Sequence, residues 1–420
     1  MTSPLLIRNV TRVDTMQRTD LLVKAGHVAR LAQSIPVEPR TGVIDGDGAL
    51  LFPGFVDVHV HLREPGFSYK ETIAEGTLAA AHGGFTTVCP MPNLNPAPDT
   101  RDTLDLQLEL IRRSANVEVL PYATITRRRA GIDLIDYSAL APFVAGFSDD
   151  GSGIQNRNVM RDAMAAIAPT GKVLAAHCEV NALIKKGYIH DGEYARLHGH
   201  LGICSESEWK EVERNIELSA ETGCRLHICH ISTLESVYLI RQAKADGLPV
   251  TCETASHYLA FSDNDLQEDG RFKMNPPIRS VADREALLEG VADGTIDCLA
   301  SDHAPHSADE KSRGLQFSAM GVTGLEVSAS AFYTYAVLGA GIPLARMYEM
   351  LCLRPREIFG IQGGILPGQR ADFTLFNPDA TWTVDPSRFL SKGKSTPFAG
   401  LKLNGKVKAT IVAGKPYIFE

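Results

Sequence analysis

The stretch FVDVHVHLREPG, residues 55–66, begins as an unbroken apolar run, carries two histidines one residue apart, and stops at a Pro-Gly turn. Side chains alternate along a strand, so His59 and His61 share one face. Continuous apolar runs suit strands that are covered on both faces. Seven more such runs follow: FTTVC (85–89), VEVL (117–120), VAGFS (144–148), KVLAA (172–176), RLHICH (225–230), PVTCE (249–253) and IDCLAS (296–301). Helix-like segments separate them, among them YKETIAEGTLAAAHGG and SESEWKEVERNIELSAETG. The second is expected to open on a capping box, Ser205 with Glu208 three residues on. Strands alternating with helices predict an α/β chain whose residues 53–364 form a (β/α)8 TIM-like barrel.

The two ends read differently. Residues 5–14 (LLIRNVTRVD) and 20–33 look like short strands with a turn near Ala25–Gly26, and 371–378 and 401–419 also have strand character. Neither end is long enough to hold a core alone, so residues 1–52 and 365–420 are expected to combine into one small β-sandwich domain. The total of 420 residues accommodates one barrel of roughly 250 residues plus such a module.

Composition narrows the function classes. A net charge of −8 without a long basic block argues against nucleic acid, and Arg127–Arg129 reads as a solvated loop or helix start. No run reaches the ~18 apolar residues of a membrane span, and the N-terminus lacks the pattern of a signal peptide. The eight cysteines include no CxxC pair, which suggests reduced core thiols. These features together predict a cytoplasmic, soluble protein with no membrane partner.

In a barrel of this kind chemistry gathers where strands end. His59 and His61 end the first run, Asp149 and Asp150 follow the fourth, His177 ends the fifth, His230 the sixth, and Asp302 the eighth. One strand-end histidine is more often a hydrogen-bonded rim residue than a ligand. The conjunction of four histidines with carboxylates is hard to explain by packing. Such N/O donors suit zinc or another borderline divalent ion. Their number exceeds the needs of one tetrahedral ion, which favours two metals sharing a bridge.

The motifs GFVDVHVHLREPG, FTTVCPMPNLNP, FSDDG, HICHIST, MNPPIR, SDHAPH and LPGQRADFTLF occur in an order that resembles the amidohydrolase superfamily, in particular the class I dihydroorotases of bacteria. The resemblance covers essentially the whole chain. It implies one Zn2+ on His59, His61 and Asp302, a second on His177 and His230, and Asp150 with a hydroxide bridging the two. Many amidohydrolases bridge their metals with a carboxylated lysine, but no lysine lies between Lys70 and Lys172 here. Between Asp149 and Asp150, the choice of bridge rests on the resemblance alone.

The reaction expected is reversible cyclisation of N-carbamoyl-L-aspartate to L-dihydroorotate, in pyrimidine biosynthesis. In the hydrolytic direction a metal-bridging hydroxide attacks the cyclic amide, and Asp302 is the expected catalytic residue, moving its proton to the amide nitrogen. Arg63 is a candidate clamp for the substrate carboxylate. The family pattern adds His61, Asn93, Asn275, His306, Met320 and Gly321 to the substrate site; by themselves Asn93 and Asn275, next to prolines, read equally well as turn residues. Family members also suggest a homodimer or an association with aspartate transcarbamoylase. The segment SADEKSRGLQ (307–316) reads as a mobile lid or a surface loop.

Two departures from the family wording stand out. Met320–Gly321 replaces a more usual proline and phenylalanine context, and Tyr258 in TASHYL replaces the second of two histidines. Neither removes a candidate ligand. Two competing readings are a hydantoinase or allantoinase, and a metal-free homologue serving as a structural partner. The absent lysine and Arg63 disfavour the first, and the complete ligand set disfavours the second.

Overall fold

The computed structural model describes residues 3–419. All eight runs lie on strands, and all eight strands are parallel to their neighbours. Phe55–Val60, Phe85–Pro90 and Glu118–Val119 form one sheet. Gly146–Ser148, Val173–Ala176, Leu226–Ile228, Val250–Ala255 and Cys298–Ala300 form another. Two isolated parallel bridges, Ala123 with Phe147 and Val60 with His303, join the sheets at both ends. The pairing order therefore returns to its starting strand.

The central strands are buried along their length, as their uninterrupted apolar runs require. Their connections carry helices such as Ile73–His82, Arg101–Ser114, Arg157–Ile167, Glu206–Thr222, Leu234–Ala245 and Val281–Asp293. Most start as sequence chemistry dictates: Thr72, Thr100, Asn156, Thr233 and Ser280 each accept a backbone N–H of the first turn.

The expected capping box at Ser205 does not form. Ser205 makes no side-chain cap. Glu208 instead turns into the protein, where its carboxylate accepts from Ser232 N (2.9 Å), Thr233 N (3.1 Å), Thr233 Oγ1 (3.0 Å) and Ser236 Oγ (2.8 Å). With the Ser232 hydroxyl, five buried donors outcompete one cap hydrogen bond. The consequence reaches the site, because this carboxylate pins the loop directly after His230.

Both chain ends meet in one sheet. Leu50–Pro53 pairs antiparallel with Phe373–Thr383, and the hydrogen-bonded order runs from Lys415–Ile418 through those strands to Leu5–Arg12, Arg18–Lys24 and His27–Ala32. The expected sandwich is thus, in its hydrogen bonds, a single eight-stranded sheet. Alternation sorts its side chains. Leu50, Phe52, Phe376 and Val407 join the large core, while Leu51, Phe373, Leu375 and Ile411 pack with Leu5, Ile7, Leu21 and Val23 in a second cluster. Ala25 (φ +50°) and Gly26 (φ +78°) make the tight turn between the second and third strands.

Candidate metal and substrate site

The ends of the first, fourth, fifth, sixth and eighth ring strands bring the candidate ligands to one place. His59 Nε2, His177 Nδ1 and His230 Nε2 lie 3.5, 3.5 and 3.4 Å from Asp150 Oδ1, and His61 Nε2 lies 3.5 Å from Asp150 Oδ2. Asp302 Oδ1 is 3.1 Å from His61 Nε2 and 3.6 Å from His59 Nε2. All six residues are buried.

Most of these separations exceed the ~2.7–3.2 Å of a good hydrogen bond. They match instead the distance between two ligands of one tetrahedral zinc, about 3.3–3.4 Å for bonds near 2.0–2.1 Å. His59 Nε2 and Asp150 Oδ1 are buried without any hydrogen-bond partner. Such orphaned atoms are costly unless something binds them. The groupings His59–His61–Asp302 and His59–Asp150–His230 both have the compactness of a metal site. The donor set therefore fits divalent ions.

Charge reinforces the arrangement. Burial pushes Asp150 up, but the His59 charge and the close approach of His177 and His230 outweigh it and hold the carboxylate well below its usual range. Burial likewise raises Asp302, and the His61 hydrogen bond with the His59 charge brings it below the ordinary value. Both stay anionic at neutral pH. The backbone is also committed: His230 (φ +31°) and Asp302 (φ +45°) adopt left-handed conformations at their strand ends. Such strain in non-glycine residues clusters at functional sites.

Asp149 and Asp150 separate cleanly. Asp149 turns away and accepts from Ile125 N (2.8 Å), Thr126 N (3.1 Å) and the Thr126 hydroxyl. Asp150 alone faces the histidines.

Several supporting residues escaped sequence reasoning. Glu253 Oε1 sits 2.6 Å from His59 Nδ1, so the other ring nitrogen faces inward, and its second oxygen lies 3.1 Å from His227 Nε2. His59, Cys229 and Glu253 also lie together. That carboxylate is already engaged, and burial pushes the Cys229 thiol far up, so this trio is a poor ligand set. Asp57 accepts from Ser301 N and His59 N, tying the first strand to the residue before Asp302. Arg129, expected in a solvated loop or helix start, ends a 3-10 turn over Arg127–Arg129, points inward and donates to Asp150 O (2.5 Å) and Ser152 Oγ (2.7 Å). A lone carboxylate in the apolar run PVTCE was the signal available for Glu253; Arg129 had none.

Beside the ligands lies a cavity of about 280 Å3 lined by His61, Arg63, Asn93, Asp150, His177, His230, Asn275, Asp302, His306, Met320 and Gly321. Every candidate residue reaches it except His59, which is fully buried, and Asp149, which turns away. Arg63 is buried, donates to Pro305 O (3.1 Å), and lies 3.5 Å from His306 Nε2. Burial and the Arg63 and Lys70 charges pull His306 down to about 3, so it is neutral. Asn93 Oδ1 meets His61 Nδ1 at 2.9 Å and orients that ring. Asn275 donates to Glu179 Oε1 (2.9 Å), leaving its own Oδ1 buried without a partner. Tyr258, the departure from paired histidines, donates to Pro276 O (2.6 Å) and braces the turn after Asn275. A larger cavity of about 760 Å3, between His82, Glu326, Trp382 and Phe419, gathers no metal-binding group among the described residues. Volume does not locate the chemistry here.

The segment 307–316 is anchored. Ser307 caps the helix Ala308–Lys311, Glu310 pairs with Lys70 at 2.9 Å, and Lys311 is buried. The polar composition that suggested a lid hides one inward-facing lysine.

Comparison with known proteins agrees with this geometry. The sequence model of the family described as Dihydro-orotase-like matches residues 48–236. The chain is 45% identical to a dihydroorotase of Anoxybacillus flavithermus over 412 residues, 97% of this chain and 96% of that one. It is 46% identical to a dihydroorotase of Bacillus cereus over 400 residues, 94% and 93% of the two chains. Among solved structures, L-hydantoinase (dihydropyrimidinase) from Arthrobacter aurescens superposes with a TM-score of 0.86 at 26% identity, covering 100% and 98% of the chains. Dihydropyrimidinase from Brevibacillus agri gives 0.86 at 20% identity over 99% and 95%, a likeness of fold. With near-full-length identity at this level, the chain belongs to the dihydroorotase family of cyclic amide hydrolases.

Proposed function

We propose that the cavity interconverts L-dihydroorotate and N-carbamoyl-L-aspartate, with His59, His61 and Asp302 holding one zinc ion, His177 and His230 a second, and Asp150 bridging them. The observation that carries this reading is the convergence of four imidazoles on one carboxylate at 3.4–3.5 Å. When bound, two such ions supply Lewis acidity towards a carbonyl and lower the pKa of water to about 7.

The remaining work belongs to the protein. Arg63 and Asn275 line the same cavity as Asp302. A guanidinium there holds the substrate carboxylate, and the unpartnered Asn275 Oδ1 accepts an N–H of the ring. Ring opening needs a proton on the amide nitrogen, a poor leaving group. Asp302, anionic at rest, takes the proton released by the attacking water and passes it to that nitrogen. In the reverse direction it receives the ureido proton. Neutral His306 completes the wall beside Arg63 without adding a second charge.

The closed pairing order supports reading the eight parallel strands as a (β/α)8 barrel of residues 53–364. The second core cluster supports a sandwich-like module of residues 1–52 and 365–420. A cytoplasmic setting is consistent with eight free thiols and with no described helix long and apolar enough to cross a membrane.

Removing the guanidinium tests the substrate assignment. Arg63→Ala is expected to raise KM for dihydroorotate by about 30–100-fold, the equivalent of a charge-assisted contact of roughly 2–3 kcal/mol. Steady-state kinetics on dihydroorotate and on hydantoin, which has no carboxylate, read it out. An unchanged KM refutes the clamp, and wild-type turnover of hydantoin with none of dihydroorotate replaces this reading with that of a related cyclic amidase.

A further inference from the structure

The buried side-chain nitrogen of Lys311 has an arrangement that packing does not require. Burial pulls its pKa down to about 7, and in the protonated form its three N–H groups are all used. They donate to Lys273 O (3.0 Å), Ala319 O (2.8 Å) and Gly321 O (2.7 Å). Lys273 O also accepts from Gly321 N at 3.1 Å. These carbonyls belong to two loops. One leads in two residues to Asn275, and the other brackets Met320 and Gly321, which line the cavity beside Arg63 and Asp302.

The second loop has little freedom to move. Met320 O lies 2.8 Å from His306 Nε2. Gly321 sits at φ +126°, and a Cβ on it would stand 2.7 Å from Ala304 Cβ and 2.9 Å from Ala304 O. A wall pressed this closely against the segment after Asp302 must be held from behind. Lys311 is the group behind it, gathering three carbonyls of which Lys273 O has a further donor in Gly321 N.

We infer that Lys311 is a positioning residue for substrate binding, clamping the Asn275 loop to the Met320–Gly321 loop and so fixing that wall of the cavity. It does not reach the reacting atoms. The inference rests on reading this cavity as the substrate pocket, and its consequence is specific. Loosening the wall weakens ground-state binding more than it slows the chemical step.

The test uses the metal-loaded full chain and compares Lys311→Met with Lys311→Arg. Met keeps the length and removes every donor, whereas Arg restores donors to the same site. Lys311→Met is expected to raise KM for dihydroorotate about tenfold with kcat within about threefold, and Lys311→Arg to recover most of that affinity. Hydrogen exchange should rise in Lys311→Met only over residues 269–279 and 313–323. An unchanged KM in folded Lys311→Met overturns the inference. So does a proportional loss of kcat with faster exchange throughout the chain, which is the mark of a merely structural lysine. If the wild type itself fails on dihydroorotate, the substrate reading is what fails; localised exchange then still upholds the clamp, and unchanged exchange overturns it.

Discussion

Asp302→Ala is expected to lower turnover of dihydroorotate by at least about 10^3-fold while the chain remains folded. General acid–base catalysis contributes roughly 10^2–10^4-fold on its own. Asp302 also stands among the candidate metal-binding donors, 3.1 Å from His61 Nε2. The folded state is expected to survive because nearby interactions do not depend on the carboxylate: Asp57 and Ser301 hold the adjoining backbone. One local cost remains. Asp tolerates a left-handed φ better than Ala does, so Asp302→Asn is the fairer companion at φ +45°. Circular dichroism and thermal unfolding check the fold, and initial rates in both directions check the chemistry. Wild-type-like rates in either variant remove Asp302 from proton transfer.

Asp150→Ala should have the broadest effect on metal content. Zinc binding worth ~10–16 kcal/mol over four ligands assigns roughly 3 kcal/mol, about a hundredfold in affinity, to each ligand. A bridging carboxylate counts for both ions. It is also the counter-charge of the histidines: burial disfavours the charged form of His59, and the Asp150 and Glu253 carboxylates more than reverse that. The neighbouring Asp149→Asn is the matched control. Asp149 is spent on the backbone N–H groups of Ile125 and Thr126, so its loss should cost stability and leave the metal content unchanged. Elemental analysis of the two variants, purified alike, decides the matter. Equal metal loss in both would deny Asp150 its bridging role.

Much of this architecture is legible in the chain itself, for physical reasons. Ring strands covered on both faces leave long apolar runs, and the terminal strands leave alternation. Ligands at strand ends follow from the same registers. What could not be read depends on where a side chain turns. Asp149 and Asp150 differ by one residue in sequence, yet one caps backbone amides and the other faces four imidazoles. Ser205 and Glu208 have the spacing of a capping box, but a cluster of buried donors 24 residues away claims the glutamate. Arg129 hides in a basic triplet and Lys311 in a polar loop, because composition reports the average exposure of a segment and not its one inward residue. Glu253 was visible only as a charge out of place in an apolar strand.

If these six side chains hold a pair of divalent cations, turnover depends on both ions. The decisive measurement is metal stoichiometry taken together with dihydroorotate turnover, before chelation, after it, and after zinc is returned. We predict about two ions per chain, parallel loss of metal and activity, and recovery of both. Full turnover by a chain stripped of metal would contradict it.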